Sequence, residues 1–314
     1  MSEKRFDVTI AGELNLDLIL YGLPEELPRE RELLAEKMML TLGGSSAIVA
    51  HNLAALGSRV GFASCIGNDS MGETALAMLT RSGVDISQVR RDASEQTGLS
   101  VILQGNGSRT ILTYAGTIFA LRLADLDIDY LSSAKHFHLS SYYLQHGLQR
   151  DVPELFRRLK ANGLTISLDC NDDPEDRWDG GIREALKYVD IFLPNEREAA
   201  KIAGAANLDD AVKLLAEMVP LVVVKAGAQG AIARRGSETL RSPAMRVDAV
   251  DAVGAGDSFN AGFLHQYVRG ADLASCLRFG NLTGALSVTR AGGTGAFGDR
   301  EHRERFLRER MEKS

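Results

Sequence analysis

Short, largely apolar runs alternate with helix-length stretches along most of this 314-residue chain. The runs fall at 7–11, 60–63, 135–139, 165–169, 191–193 and 221–224 and carry much β-branched content. A strand that is apolar on both faces must be covered on both, which a parallel sheet between two helix layers provides. Helical stretches at 46–56, 72–82, 148–161 and 209–218 supply those layers. The pattern predicts one α/β domain over 1–314, a three-layer α/β/α sandwich with a mostly parallel central sheet. A chain of this length can bury about three quarters of its unfolded surface.

Two stretches break the rhythm. Residues 18–42 and 97–113 read as strands separated by loop residues, and Asn106-Gly107 is a hairpin turn signal. They predict a small separate sheet inserted into the main domain.

Composition excludes several classes of function. Net charge is −6 and no basic cluster stands out, which argues against nucleic acid as partner. No apolar run approaches the ~20 residues of a membrane span, and no cationic segment followed by a long apolar one opens the chain. A cytoplasmic location is expected. Cys65, Cys170 and Cys276 are scattered, odd in number and without metal-ligand spacing, as reduced thiols would be. The histidines show no metal pattern either; His136 and His138 share a strand face and read as ordinary core or surface residues rather than a zinc pair. The run at 299–313 is mixed in sign and reads as a solvated helix.

Chemistry is concentrated in Asp251-Ala-Val-Gly-Ala-Gly-Asp257-Ser-Phe-Asn-Ala-Gly-Phe263. Ala261, Phe263, Leu264, Tyr267 and Val268 recur at helical spacing, which starts a helix near Gly256. A helix start presents unpaired N–H groups and partial positive charge. Gly254, Ala255 and Gly256 let an anion approach those groups closely, an arrangement that suits phosphate. Asp257 beside a phosphate is electrostatically unwelcome unless it has a task, and the natural task is accepting a proton from an attacking hydroxyl. No Gly-Lys-Ser/Thr follows, so this is not a Walker A loop. An early G-x-G-x-x-G is missing, which disfavours a nicotinamide-dependent dehydrogenase.

This segment resembles the C-terminal signature of the ribokinase-like (PfkB) family of carbohydrate and nucleoside kinases, Asp-Thr-x-Gly-Ala-Gly-Asp, with Ala252 in place of Thr. Four more stretches match in order: Gly12-Glu13-Leu14-Asn15-Leu16-Asp17, Gly43-Gly44, Asn195-Glu196-Arg197-Glu198, and Lys225-Ala-Gly227-Ala-Gln-Gly230. The resemblance spans essentially the whole chain from about Phe6.

It implies a sugar kinase using ATP and Mg²⁺, with K⁺ as an activator in some members, and a lid over the sugar formed by about 14–42 and 97–118. Asp257 would be the base, and the backbone of Gly254, Ala255 and Gly256 would hold the phosphoryl group. Asn15, Asp17 and the amides of Gly43 and Gly44 would hold the acceptor, with Arg109 in the lid the main candidate partner for a phosphorylated one. One serine of Ser45-Ser46 is expected to cap the following helix. Asn195 and Glu198 would share a helix face at the Mg²⁺ site, Glu198 through water. Lys225, Gly227, Gly230 and Asn281 would line the nucleotide. Asp251, Val253, Ser287, Arg290 and Gly292 match a monovalent-cation site built largely of backbone oxygens. Lid edges often pair between subunits in this family, which implies a homodimer.

Two departures bear on the acceptor. Ile48 stands where the family usually places an Asn, with Asn52 one turn on as a substitute, and Ser45 stands where a Lys is common. The acceptor implied is a hydroxymethyl group of an unphosphorylated sugar or polyol. A nucleoside kinase of the same fold and a catalytically silent sugar-binding protein are the alternatives. An aromatic residue stacking from the lid would favour the nucleoside, and Tyr21 and Tyr114 lie at the lid margins.

Overall fold

The computed structural model describes residues 4–24, 26–28, 30–105 and 109–311. Its strands are β1 (Phe6–Ala11), β2 (Asn15–Tyr21), β3 (Lys37–Gly43), β4 (Val60–Gly67), β5 (Asp85–Asp92), β6 (Leu99–Gln104), β7 (Arg109–Tyr114), β8 (Ala134–Leu139), β9 (Thr165–Leu168), β10 (Ile191–Phe192), β11 (Leu221–Lys225), β12 (Ala231–Arg235) and β13 (Glu238–Ser242). The helices are α1 (Ser45–Ala55), α2 (Ser70–Thr80), α3 (Ile128–Ser132), α4 (Val152–Ala161), α5 (Ile182–Leu186), α6 (Glu196–Ala203), α7 (Leu208–Ala216), α8 (Ala255–Tyr267), α9 (Leu273–Ser287), α10 (Gly295–Gly298) and α11 (Arg300–Met311).

Nine strands form the main sheet in the order β13-β12-β11-β10-β9-β8-β1-β4-β5. From β5 to β11 every pairing is parallel, and β12 and β13 add an antiparallel edge. The predicted apolar runs are its interior strands. The edge strands β5 and β13 escape that reading because their sequences, DISQVRRD and ETLRS, are polar. An edge strand half open to water needs no apolar run.

Period-two burial explains the interior strands. Val222 and Val224 of β11 point into one core with Phe156 of α4 and Val212 of α7. Leu221 and Val223 point into the other, with Phe263 of α8 and Leu277 of α9. Full burial of such a side chain contributes about 1.5–3 kcal/mol, so both helix layers are held by one short strand.

Of the two places open to them, His136 and His138 lie in this interior. Ser167 Oγ bridges them at 2.7 Å on each side, and burial drives both imidazoles down to about 3, which keeps them neutral. They belong to the core.

The remaining strands form the second sheet, β3-β2-β6-β7, from the two predicted interruptions. Gln104 of β6 lies opposite Arg109 of β7, as an antiparallel pair requires, and the Asn106-Gly107 turn signal itself falls outside the described residues. The underside of this lid carries Ile19 and Ile102, which bury Val253 of the catalytic-loop candidate beneath them. Tyr21 adds a hydrogen bond from its hydroxyl to Asp251 Oδ2 at 2.9 Å. The lid is therefore docked on the segment that leads into α8. Its outer face leaves Met38, Leu40 and Leu112 exposed.

Candidate active site

Sequence order steps from β1 to β4 on one side and to β8 on the other, the crevice where ligands of open α/β sheets bind. Polar residues gather at the carboxyl ends of these strands. Glu13 follows β1, Ser141 follows β8, Asp169 to Asn171 follow β9, Asn195 follows β10, and Lys225 ends β11.

The start of α8 faces the same edge. Gly254 is its N-cap in the left-handed region, φ 71°, and a Cβ there would lie 2.4 Å from Gly293 Cα. That turn leaves the N–H groups of Gly256 and Asp257 without an acceptor among the described residues. Unpaired donors at a helix start are an anion site. A Cβ on Gly256 would meet nothing nearer than Lys225 Nζ at 3.7 Å, so an ammonium borders the open space over these amides. The helix begins one residue before the predicted start.

Carboxylates crowd around this cradle. Asp257 is half-buried, and its Oδ1 accepts the hydroxyl of Ser45. Burial raises its carboxyl to about 6, with the Asp169 and Glu13 charges adding to the rise and the Ser45 bond and Lys225 opposing it. Asp17 is pushed up to about 7 by burial and by the charges of Asp257 and Glu13. Glu13 is also raised by burial, although it accepts Ser46 N–H (3.1 Å), Ser46 Oγ (2.8 Å), Ser141 Oγ (2.7 Å) and Gln145 Nε2 (2.6 Å). The balancing cation is Lys225, which is ion-paired to Asp169 and kept protonated by Asp169 and Glu198 against its burial. Asn260 Nδ2 also donates to Asp169, at 2.5 Å.

The metal candidates lie next to this pair. Asn195 is the N-cap of α6 and forms a reciprocal capping box with Glu198. The expected shared helix face is thus a cap, which points the same two side chains together by a different geometry. Glu198 is buried, not on an exposed face, and is raised to about 7 by burial and by the Asp169 charge. Donor atoms of Asp169, Cys170 and Glu198 lie within 4.8 Å of one another. Two carboxylates with water suit a hard cation such as Mg²⁺; the thiol does not. The donor set therefore fits Mg²⁺ on Asp169 and Glu198.

Other expected residues fall differently. Asp17 lies within β2, and Gly43 is glycine because a Cβ there would lie 2.2 Å from Asp17 Oδ1. Asn15 lies beside them with its Oδ1 buried and unpartnered. Gly44 is the N-cap of α1, so neither serine caps that helix; Ser45 serves Asp257 and Ser46 serves Glu13. Ile48 is buried against the Gly293 backbone. Asn52 does not replace the missing amide, because its Nδ2 donates to Ser258 Oγ and Gly293 O, both at 3.0 Å. Arg109 is exposed at the start of edge strand β7. Asn281 spends its Nδ2 on Ser242 and Pro243, fastening α9 to the loop after β13. Gly227 and Gly230 form the turn between β11 and β12. Arg290 is ion-paired with Asp299 at 2.7 Å, leaving its backbone as the part free to face a cation. Asp251 Oδ1 accepts Val253 N–H, while Oδ2 accepts Gly292 N–H and Tyr21.

Asp169, Asn171, Asn260 and Ser45 were not singled out as site residues. The one available signal was a polar residue closing an apolar run, as Asp169 does after β9.

Comparison with known proteins decides the family. The sequence matches the profile of the pfkB family carbohydrate kinases over residues 5–297. The chain belongs to this family. It is an ATP-dependent sugar kinase. The kinase shares 31% identity over 299 residues with a nucleoside kinase of Methanothermobacter thermautotrophicus, covering 93% of this chain and 92% of that protein. It shares 31% over 296 residues with an ATP-dependent ribose-1-phosphate kinase of Halopiger xanaduensis, covering 92% and 94%. Its fold matches a candidate ribokinase II from E. coli in complex with ATP and Mg²⁺, with TM-score 0.83 and 25% identity over 97% of this chain and 99% of that one. Relatives with such different acceptors leave the acceptor to be argued from the pocket.

The glycines of the cradle separate binding from folding. Gly256→Ala should fold normally and weaken ATP by about tenfold or more, ~1.4 kcal/mol, read by calorimetric titration with a non-hydrolysable analogue. Gly254→Ala should instead lower the unfolding midpoint, because its methyl meets the Gly293 backbone and its φ is positive. Unchanged affinity in Gly256→Ala would place the phosphates elsewhere.

Proposed function

We propose that the kinase transfers the γ-phosphoryl group of ATP to a hydroxymethyl group of an unphosphorylated sugar or polyol. The observation that carries this reading is the charge of the acceptor side, where burial and the Asp257 and Glu13 charges push Asp17 up, burial and the Asp169 and Glu13 charges push Asp257 up, and Lys225 is engaged by Asp169. A phosphate ester would bring a dianion among these carboxylates. Arg109, the expected partner for such an ester, is exposed at the lid edge.

In this reading Asp257 accepts the proton of the attacking hydroxyl as its oxygen bonds to the γ-phosphorus and the bond to ADP breaks. The N–H groups of Gly256 and Asp257 and the ammonium of Lys225 stabilise charge on the transferring group. Asp17 and Asn15 hold the acceptor, and the turn from Lys225 to Gly230 seats the nucleotide. Asp169 and Glu198 would hold Mg²⁺, which supplies charge neutralisation at the phosphates when bound. The docked lid keeps water from competing with the acceptor. Tyr21 is occupied by Asp251, with Lys37 Nζ 5.6 Å from its ring centroid, and Tyr114 is exposed. The Tyr21 ring, tied by its hydroxyl and flanked by that ammonium, is not free to turn onto a nucleobase, which supports the sugar over the nucleoside.

A monovalent cation is a finer part of the proposal. Ser287 Oγ is buried without a partner, which supports a cation among Asp251, Val253, Ser287, Arg290 and Gly292. The Asp251 carboxylate is already met by protein donors, so backbone carbonyls would do most of the coordination. Replacing K⁺ by tetramethylammonium should lower turnover several-fold; unchanged turnover would remove the cation.

Asp257→Asn should retain ATP binding and lose about 10²–10⁴ in turnover, the usual contribution of a general base. In the native enzyme the base must be ionised and its carboxyl titrates at about 6, so kcat/KM for the acceptor should fall as pH drops through that value. Near-normal turnover of the variant would overturn the assignment. Competing ribose, fructose and fructose 6-phosphate in one coupled assay tests the acceptor class. The unphosphorylated sugar should be preferred by more than about tenfold in kcat/KM, or ~1.4 kcal/mol. A preference for the ester would sink the proposal.

A further inference from the structure

The base has a hydrogen-bonded support that the family resemblance does not assign. Asn171 Nδ2 donates to Ser45 Oγ at 2.8 Å, and Ser45 Oγ donates to Asp257 Oδ1. A hydroxyl has one proton. With the amide hydrogen on its lone pair, Ser45 is left to turn that proton onto the carboxylate. No other hydrogen bond reaches Asp257 Oδ2 among the described residues.

Asn171 sits at the end of β9 in the left-handed region, φ 54°. Among residues with a Cβ, asparagine is one of the few that visit this conformation routinely. Glycine would adopt it freely, yet an amide stands there. Its backbone N–H donates to Asp169 Oδ1 at 3.3 Å, which ties the amide to the residue that pairs with Lys225.

We propose that Ser45 and Asn171 are a positioning pair for phosphoryl transfer: the amide orients the hydroxyl, the hydroxyl occupies Oδ1 of Asp257, and Oδ2 is thereby the oxygen that takes the acceptor proton. The proposal rests on Asp257 as the base. It also gives Ser45 a role at a position where the family often carries Lys, with a neutral donor in place of a charge. Donation to a carboxylate favours its ionised form, so the pair keeps the base active at lower pH than burial alone would allow. The other charged groups facing Asp257 are Asp169 after β9, Glu13 after β1, Asp17 in β2 and Lys225 at the end of β11.

The test uses Ser45→Ala, Ser45→Thr, Asn171→Gly and the double variant Ser45→Ala/Asn171→Gly in the full-length enzyme. Glycine suits the φ at 171, so its variant should fold and its unfolding midpoint should not drop. Ser45→Ala should lower kcat about tenfold with KM for ATP within about twofold, and raise the acid limb of kcat/KM by about half a pH unit or more. Ser45→Thr should restore both. Asn171→Gly should move kcat and the acid limb in the same direction by less. The double variant should be no worse than Ser45→Ala, because the two residues act as one chain. An unmoved acid limb in Ser45→Ala, a change confined to KM for ATP, or full additivity in the double variant would overturn the pair. Asp257→Asn serves as the control: if it kept turnover, the base itself would be misassigned, an outcome distinct from these.

Discussion

The Lys225–Asp169 ion pair lets several buried carboxylates share the carboxyl edge of one sheet. Asp169 is almost fully enclosed, and the ammonium it holds also lies beside Gly256 at the start of α8. Removing one partner of such a pair leaves an uncompensated buried charge and typically costs about 3–5 kcal/mol. Here the pair does more than join β9 to β11. It fixes a cation at the rim of the amide cradle, limits how far the Asp257 carboxyl is pushed up, and stands next to Glu198 at the metal candidates. The cradle alone would draw any anion. In the proposed mechanism Lys225 beside it and Asp257 at its mouth supply both a holder for a phosphoryl group and an acceptor for a proton.

Much of this was legible in the sequence because its physical causes are local. Runs such as LVVVK need burial on both faces, and glycines before an apolar helix announce a helix start open to anions. The second sheet was legible as two breaks in the strand–helix rhythm. What the sequence hid are pairings across distance. Ser45 looks like a cap until α8 brings Asp257 to it from 212 residues away. Asn52 looks like a substrate ligand until Gly293 and Ser258 claim its amide. Asn195 and Glu198 were read as sharing a helix face, but the chain turns at Asn195 and makes a cap. The polar edge strands were hidden for another reason, since solvation on one side erases the apolar signal.

The proposed acceptor pocket rests on the same electrostatics. Glu13 draws donors from α1, from the loop after β8 and from Gln145, so the start of α1 already spends Ser46 N–H on a carboxylate. An anion binding there would compete with Glu13. Neutral hydroxyls, by contrast, can bridge Asp17 and Asp257 in whichever protonation state each holds. Relatives that act on a nucleoside and on ribose 1-phosphate share this fold, so discrimination has to come from such side chains rather than from the sheet.

The central claim is that Asp257 removes a proton while the acceptor oxygen attacks phosphorus directly. A carboxylate beside a phosphate cradle could instead act as a nucleophile and carry the phosphoryl group itself. The stereochemical course at a chiral γ-thiophosphoryl group separates the two. One in-line transfer inverts configuration, and two successive transfers restore it. The account predicts inversion in the phosphorylated sugar, and retention would contradict it.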